Sequence, residues 1–309
     1  VKMISFVIPC YNSEKTILAV IDEISSVMRM REGAYDYEVV AVNDCSPDKV
    51  LEVLRDRAAR DPHLRVASLA GNVGKHAAVL AGYSLAAGDY VVSVDDDGQC
   101  PIEHLWELIA PLERGHDMAM ADYGVKQQTP LKRFGSAMNH QMSHLLLGKP
   151  KNVVFSNFIA RTKVVCKSMA TYKNAFPYLE GLSLRITTDI VMVPMEERPR
   201  RVGQSNFTFS KSLALWVNGF TAFSAKPLRV GALLGGVLSL LAVAMGLFSI
   251  VCKLINPGVS SGYRSLTIVI LLCAGLIMLQ LGLLGEYIGR IFISVNQYPQ
   301  YVIKEKINF

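Results

Sequence analysis

No two of the six cysteines in this 309-residue chain, at positions 10, 45, 100, 166, 252 and 273, form a CxxC pair, and none joins a histidine at zinc spacing. A zinc knuckle is thereby excluded as an organising feature, and the thiols read as reduced. A Gly-x-Gly-x-x-Gly turn is missing after the first apolar run, as is a Gly-x4-Gly-Lys-Ser/Thr loop. The fingerprints of dinucleotide binding and of P-loop chemistry are therefore absent. Basic residues do not run together with interleaved aromatics, so nucleic acid is not an expected partner. Charge is scarce, at 19% of residues against 51% hydrophobic, with a mean hydropathy of +0.29. That excludes a disordered chain and is too apolar for an ordinary soluble enzyme. The 32 Lys+Arg exceed the 26 Asp+Glu by only 6, a mild bias compatible with anionic lipid or phosphate ligands. No basic segment precedes an apolar one near Val1–Pro9, so no signal peptide is expected.

The apolar excess collects in the last third. Val230–Cys252 and Ser265–Gly285 contain no charged residue, and each has the ~20 residues that ~30 Å of hydrocarbon requires. Asn256-Pro257-Gly258 between them reads as a turn. The expectation is a transmembrane hairpin over 229–289, with spans near 230–252 and 265–287. Lys211, Lys226, Arg229, Arg290, Lys304 and Lys306 lie on its outer flanks, against Lys253 and Arg264 in the connection. The positive-inside rule then puts the N-terminal part in the cytoplasm, anchored in the inner or plasma membrane. Gly231, Gly235, Gly236, Gly275, Gly282 and Gly285 allow close helix approach, so a homo-oligomer, up to a tetramer, is expected. Residues 210–228, with Leu213, Leu215, Trp216 and Phe220, read as an interfacial amphipathic helix. Residues 290–309 read as a juxtamembrane segment, with a further amphipathic element around Phe292, Val295 and Tyr298.

Residues 1–209 read as one α/β domain. Short Val/Ile-rich runs at Met3–Ile8, Tyr37–Val42, Leu64–Leu69, Tyr90–Val94 and Asp117–Met120 alternate with helical patterns at Ser13–Met30, Asp48–Arg60, Gly74–Ala87 and Ile102–Leu112. Asn12 or Ser13 is the expected cap of the first helix. Such alternation predicts a mostly parallel, Rossmann-like sheet covered on both faces, with ligands at the carboxyl ends of its strands. The polar breaks Pro9–Glu14, Asn43–Asp48, Gly71–Lys75 and Asp95–Gln99 all fall there.

Asp95-Asp96-Asp97-Gly98-Gln99 is the sharpest chemical feature. In an extended segment Asp95, Asp97 and Gln99 share one side and present hard oxygen ligands of the kind Mg²⁺ takes; a solvated acidic turn is the alternative. Asp44 suits a nucleotide base or ribose, or else caps the turn at Ser46-Pro47. Lys75 and His76 open a helix, where a cation and free N–H groups suit a phosphate, or form a solvated first turn.

Val7–Asn12, Asn43–Asp48, Asn72-Val73-Gly74 and the Asp-x-Asp-x-Gln of Asp95–Gln99 together resemble an inverting family-2 glycosyltransferase of the GT-A fold. Arg200-Arg201-Val202-Gly203-Gln204-Ser205, Lys226-Pro227-Leu228-Arg229, the hairpin, and Leu284–Arg290 narrow the resemblance. The arrangement is similar to polyprenyl-phosphate glycosyltransferases such as the dolichol-phosphate mannose synthases and bacterial undecaprenyl-phosphate sugar transferases. The resemblance implies that Pro9, Tyr11, Asn12, Glu14 and Asp44 hold the base and ribose of a nucleotide-sugar. It puts Asp95 near the nucleotide, with Asp97 and Gln99 holding Mg²⁺ or Mn²⁺ against the diphosphate. The implied acceptor is a polyprenyl phosphate, whose oxygen is anionic at neutral pH and needs no strong general base. Cations must hold it: Lys132, Arg133, Arg200, Arg201 and Lys211 are candidates, with Ser205 as a hydrogen-bond donor. For Arg201 and Lys211 an interfacial basic belt is the competing reading.

Two departures stand out. Family members carry an acidic residue in a Gly-Asp-Phe-Arg segment where this chain has Ser156-Asn157-Phe158-Ile159, which points to a different sugar. Asp96 stands where a small residue is common. Asp189 is left without a role. A nucleotidyltransferase, a membrane scaffold or flippase-associated protein with a degenerate nucleotide-binding domain, and a processive polysaccharide synthase are weaker readings. The hairpin argues against the first, the intact Asp97/Gln99 pair against the second, and the small number of spans against the third.

Overall fold

A computed structural model describes residues 1–124, 150, 153–174, 177–196, 198, 226–255, 263–296 and 299–309. Two compact units emerge: Val1–Gly219 with Gln297–Phe309, and Phe220–Asn296.

The first unit is built on β1 (Lys2–Cys10), β2 (Tyr35–Asn43), β3 (Leu64–Leu69) and β4 (Tyr90–Ser93). In β1 every residue from Ile4 to Cys10 is buried, because both faces are covered and period-2 alternation has no exposed side to serve. β1 pairs in parallel with β2 and with β4, and β2 in parallel with β3. The register aligns Cys10 with Asn43, Asn43 with Ser68, and Val7 with Ser93, so four carboxyl ends lie along one edge. β5 (Met118–Asp122), β6 (Ile159–Thr162), β7 (Ile190–Pro194) and β8 (Ile303–Ile307) complete an eight-stranded sheet in the order β7-β5-β6-β4-β1-β2-β3-β8.

The helices α1 (Ile17–Arg29), α2 (Val50–Ala58), α3 (Lys75–Leu85), α4 (Leu105–Glu113), α5 (Lys163–Ala170) and α6 (Leu179–Ile186) belong to the same unit. Ile17, Val20, Ile21 and Ile24 of α1 recur at helical spacing and are buried in one core cluster with Ile4, Phe6 and Ile8. The expected cap is corrected. α1 begins at Ile17, behind Thr16, without a side-chain capping bond. Asn12 takes a φ of 55°, and Thr16 and Ile17 both donate to the Ser13 carbonyl. The loop is instead tied to the end of β2: Asn12 N–H donates to Ser46 Oγ (2.8 Å) and Glu14 N–H to Asp48 Oδ2 (2.9 Å).

Three strands were not foreseen. β7 pairs in parallel with β5 at one edge of the sheet. β6 is antiparallel to both β4 and β5 and separates them. β8 pairs antiparallel with β3 at the far edge, so the final residues of the expected juxtamembrane segment are part of the sheet. Asn308, at φ 63°, follows β8 and donates through Nδ2 to the carbonyls of Ala58 (2.8 Å) and Leu64 (2.9 Å). In chain order, the second unit is an insertion between two strands of one sheet.

That second unit contains α7 (Lys226–Ile255) and α8 (Tyr263–Val295). Both are long and apolar enough to cross a membrane, through Gly231–Phe248 and Leu272–Val295. Leu233, Phe248, Leu254 and Met278 are each about 70% or more exposed, at 70%, 71%, 78% and 69%. Glu286 is paired with Arg290 one turn along α8 (2.6 Å). The element expected around Phe292 and Val295 is the continuation of α8. The interfacial helix expected over 210–228 lies outside the described residues except at its last three positions, which begin α7.

Glu38 of β2 is buried, accepts from Ser5 Oγ and the Ala87 N–H (2.6 Å), and pairs with Arg65. This network draws the turn before β4 onto β1. A Cβ on Gly88 would lie 2.7 Å from the Ser5 backbone nitrogen and 2.8 Å from the Met3 oxygen, whereas one on Gly71 would meet open space. Gly88→Ala is therefore expected to cost about 1–3 kcal/mol, and Gly71→Ala less than about 0.5 kcal/mol. Denaturant unfolding of the two variants checks this; equal stabilities would contradict the close approach.

Candidate active site at the strand ends

The chain leaves each central strand through a polar loop, and hydrogen bonds between these loops form the site. Asp44 follows β2 and is buried. Its two carboxylate oxygens accept the backbone N–H groups of Val73 (2.8 Å) and Gly74 (2.9 Å), while Asn72 Nδ2 donates to its carbonyl (3.1 Å). Burial raises the Asp44 pKa, and the two backbone hydrogen bonds oppose that rise. Asp44 thus anchors the loop after β3, not the Ser46-Pro47 turn, where Asn43 Oδ1 accepts the Ser46 N–H instead (3.1 Å). Gly74 sits at φ 85°, a conformation glycine adopts without strain, and places Lys75 at the first position of α3.

Lys75 Nζ reaches Asp95 at 2.6 Å and 2.8 Å to its two oxygens. Burial works against the ammonium, but the adjacent carboxylate prevails and the Lys75 pKa is raised. Asn157 Nδ2 also donates to Asp95 Oδ2 (2.9 Å), and Tyr123 Oη donates to Asn157 Oδ1 (3.2 Å). The position that departs from the family pattern therefore lies inside the site. An amide there can donate to Asp95, which an ionised carboxylate could not.

The three consecutive aspartates have separate fates. Asp95 is held by Lys75 and Asn157. Asp96 accepts the Tyr11 N–H (3.1 Å), and burial, with its charged neighbours adding, pushes its pKa up to about 6. Asp97 Oδ1 accepts the Gln99 N–H (3.1 Å). The expected extended segment is corrected: residues 96 and 97 form a turn, and Gly98 has a φ of 76°. The alternation that would have put Asp95, Asp97 and Gln99 on one side does not apply. Like charges three in a row favour this divergence.

Among the described residues, no group of three His, Cys, Asp or Glu converges on a cation site. Asp97 and Gln99 nevertheless supply hard oxygen donors. A Mg²⁺ shared with a diphosphate commonly takes only one or two protein ligands, so the residue set fits such an ion. Pro9 is buried at the end of β1, the Tyr11 side chain is exposed beside it, and Glu14 Oε2 accepts the Lys49 N–H (3.3 Å). Lys132, Arg133, Arg200, Arg201, Ser205, Lys211 and Trp216 lie outside the described residues. Asp189 pairs with His116 (2.7 Å).

Sequence reasoning missed three neighbours of the site. Tyr123 follows β5. Glu180 opens α6, with Oε2 4.0 Å from His76 Nδ1. Arg198 follows β7 and exchanges hydrogen bonds with Gln99: Arg198 N–H to the Gln99 carbonyl (3.2 Å), and Gln99 Nε2 to the Arg198 carbonyl (3.4 Å). Only the Ser156–Ile159 departure carried a sequence signal for any of them.

Comparison with known proteins bears on this geometry. Residues 5–166 match Glycosyl transferase family 2. The uncharacterized glycosyltransferase YkcC of Bacillus subtilis (strain 168) is 28% identical over 305 residues, covering 97% of this chain and 93% of YkcC. The undecaprenyl-phosphate 4-deoxy-4-formamido-L-arabinose transferase of Yersinia pestis (strain Pestoides F) is 28% identical over 317 residues, covering 99% and 94%. Among solved structures, glucosyl-3-phosphoglycerate synthase from Mycobacterium tuberculosis, in complex with Mn²⁺, uridine-diphosphate and phosphoglyceric acid, superposes with a TM-score of 0.53. It is 23% identical and covers 70% of this chain and 75% of that one. The sheet is accordingly a mostly parallel α/β domain of GT-A type, followed in the chain by two long apolar helices.

Asp44→Asn would set an amide NH₂ against one of two N–H donors and is expected to cost about 1–3 kcal/mol, measured by thermal unfolding. Unchanged stability would contradict the anchoring role. Asn157→Asp would put a second carboxylate 2.9 Å from Asp95. One of the pair then titrates above the ordinary carboxylate range, so the folded state binds more protons than the unfolded state. The variant's stability deficit should be small in mild acid and grow towards neutral pH. A deficit independent of pH would count against the contact.

Proposed function

The chain belongs to glycosyl transferase family 2, and we propose that it transfers a sugar from a nucleotide-sugar, with a UDP-sugar as the expected donor, to the phosphate of a membrane polyprenyl phosphate such as undecaprenyl phosphate. One observation carries this reading. A family-2 domain with Lys75, Asp95 and Asp97 at its strand ends is continuous with two helices long and apolar enough to cross a membrane. Similarity along almost the whole chain to an enzyme named for undecaprenyl phosphate supports the acceptor class.

In this proposal, Pro9, Tyr11, Asn12, Glu14 and Asp44 form the base and ribose side of the donor site. Lys75 faces the diphosphate, positioned by Asp44 through Val73 and Gly74 and oriented by Asp95. Asp97 and Gln99 would hold Mg²⁺ or Mn²⁺. When bound, that cation supplies Lewis-acid stabilisation of the departing nucleoside diphosphate. A phosphate oxygen of the acceptor forms a bond to the anomeric carbon as the bond from that carbon to the diphosphate oxygen breaks. The leaving oxygen keeps the electron pair, and a single displacement with attack on the face opposite the leaving group inverts the configuration. The nucleophile is already anionic, so no base must take a proton from it. An amide at position 157 is compatible with that chemistry, because Asn157 donates to Asp95 and no proton transfer is asked of it. Lys132, Arg133, Arg200 and Ser205 are assigned to the acceptor phosphate, where an arginine fork suits two oxygens. The charge distribution around the hairpin supports a catalytic domain on the cytoplasmic face.

The test is mass spectrometry of lipid products. The purified full chain in detergent is incubated with undecaprenyl phosphate, Mg²⁺ and a panel of UDP-, GDP- and dTDP-sugars. A lipid heavier by one sugar, lost on adding EDTA, is the expected result. Nucleotide turnover without a sugar-bearing lipid would overturn the acceptor assignment. Asp97→Ala is expected to lower product formation by roughly a hundredfold or more, the scale for losing a group that stabilises developing charge. Undiminished product from that variant would remove Asp97 from the metal site.

A further inference from the structure

Arg198 closes a ring with the metal motif. Its N–H donates to the Gln99 carbonyl (3.2 Å), and its carbonyl accepts from Gln99 Nε2 (3.4 Å). The guanidinium reaches back across the same loop. Nε donates to Glu103 Oε1 (3.1 Å), one terminal nitrogen pairs with the other Glu103 oxygen, and the other terminal nitrogen pairs with Glu23 of α1. Glu103 lies four residues after Gln99, in the short 3₁₀ turn Ile102–His104 that leads into α4. One residue thus fastens both ends of the Gln99–Glu103 loop, Gln99 through its backbone and Glu103 through its guanidinium, which also ties it to Glu23 of α1.

An exposed ion pair would be worth little. Here the Arg198 and Glu23 side chains are 31% and 17% exposed, with Glu103 on the rim at 46%. The planar fork also engages two carboxylates from separate elements, which fixes direction as well as position. With Nε2 donating to Arg198, the Gln99 amide offers its oxygen as the remaining polar atom. A hard cation takes an oxygen and not an NH₂.

We infer that Arg198 is a positioning residue: its guanidinium, held by Glu23 and Glu103, fixes the backbone that in turn fixes the Gln99 amide for the divalent cation. The inference rests on the proposed metal-dependent transferase.

The test measures UDP binding to the detergent-solubilised full chain by calorimetry across a Mn²⁺ titration, with thermal stability recorded in parallel. Arg198→Ala is expected to raise the Mn²⁺ concentration needed for tight UDP binding by roughly tenfold, the low end of outer-shell effects on metal affinity. UDP binding without metal should change less than about twofold. Glu103→Gln, which keeps the shape but loses the charge, should give a smaller shift in the same direction, as should Arg198→Lys, which lacks the fork. Arg55→Ala, which breaks the exposed Arg55–Glu305 pair, should leave the Mn²⁺ dependence unchanged. A lowered unfolding temperature with an unaltered Mn²⁺ dependence in both Arg198→Ala and Glu103→Gln would overturn the positioning role. Absence of any Mn²⁺ dependence in the unsubstituted protein would overturn the metal assignment itself, and this inference with it.

Discussion

Parallel pairing of β1 with β2 on one side and β4 on the other is the constraint on which the site depends. Parallel strands run with their carboxyl ends together, so Cys10, Asn43, Leu69 and Ser93 all hand the chain to loops at one edge. Those loops are then bound to each other rather than to their own strands. Asn12 donates to Ser46, Glu14 to Asp48, Val73 and Gly74 to Asp44, and Tyr11 to Asp96. Most of the acceptors are side-chain oxygens and most of the donors backbone N–H groups. This explains why irregular loops with buried polar atoms can be tolerated here.

The second organising feature is the separation of like charges. Three consecutive carboxylates cannot all face one small volume as anions without a strong cost. The turn at Asp96-Asp97 sends them apart. Asp95 goes to Lys75 and Asn157, Asp96 to the Tyr11 N–H, and Asp97 to the Gln99 N–H. The Asp96 pKa near 6 records what remains of the burial cost. In the proposed function this division leaves a fixed ammonium beside the diphosphate and an oxygen pair for a cation, which are the two positive charges a departing nucleoside diphosphate requires.

Much of this was legible in the sequence. The near-continuous apolar runs of β1 to β5, the helical spacing in α1 and the charge-free stretches of α7 and α8 follow from periodicity and length alone. The four loops at the strand ends were legible because polar residues interrupt apolar runs there. β6 and β8 were not. β6 is four residues long and β8 sets Lys304-Glu305-Lys306 between two Ile residues, so neither has the fully apolar signature of a central strand. The start of α1 was misplaced because Ser13 has the chemistry of a cap, while the contacts that decide the loop's path come from Ser46 and Asp48, more than thirty positions away. The same holds for Asp44, whose partners lie 29 and 30 residues on, and for Arg198, whose value depends on Gln99, Glu103 and Glu23. Long-range polar contacts leave no periodic trace.

In the proposed function Asp97 and Gln99 take the divalent cation while Asp95 remains with Lys75. Anomalous scattering from Mn²⁺ in crystals of the full chain grown with UDP reads this directly. A single Mn²⁺ peak at bonding distance from oxygens of Asp97 and Gln99, with the Lys75–Asp95 pair intact, is the predicted result. A peak coordinated by Asp95, with Lys75 displaced from it, would contradict the account.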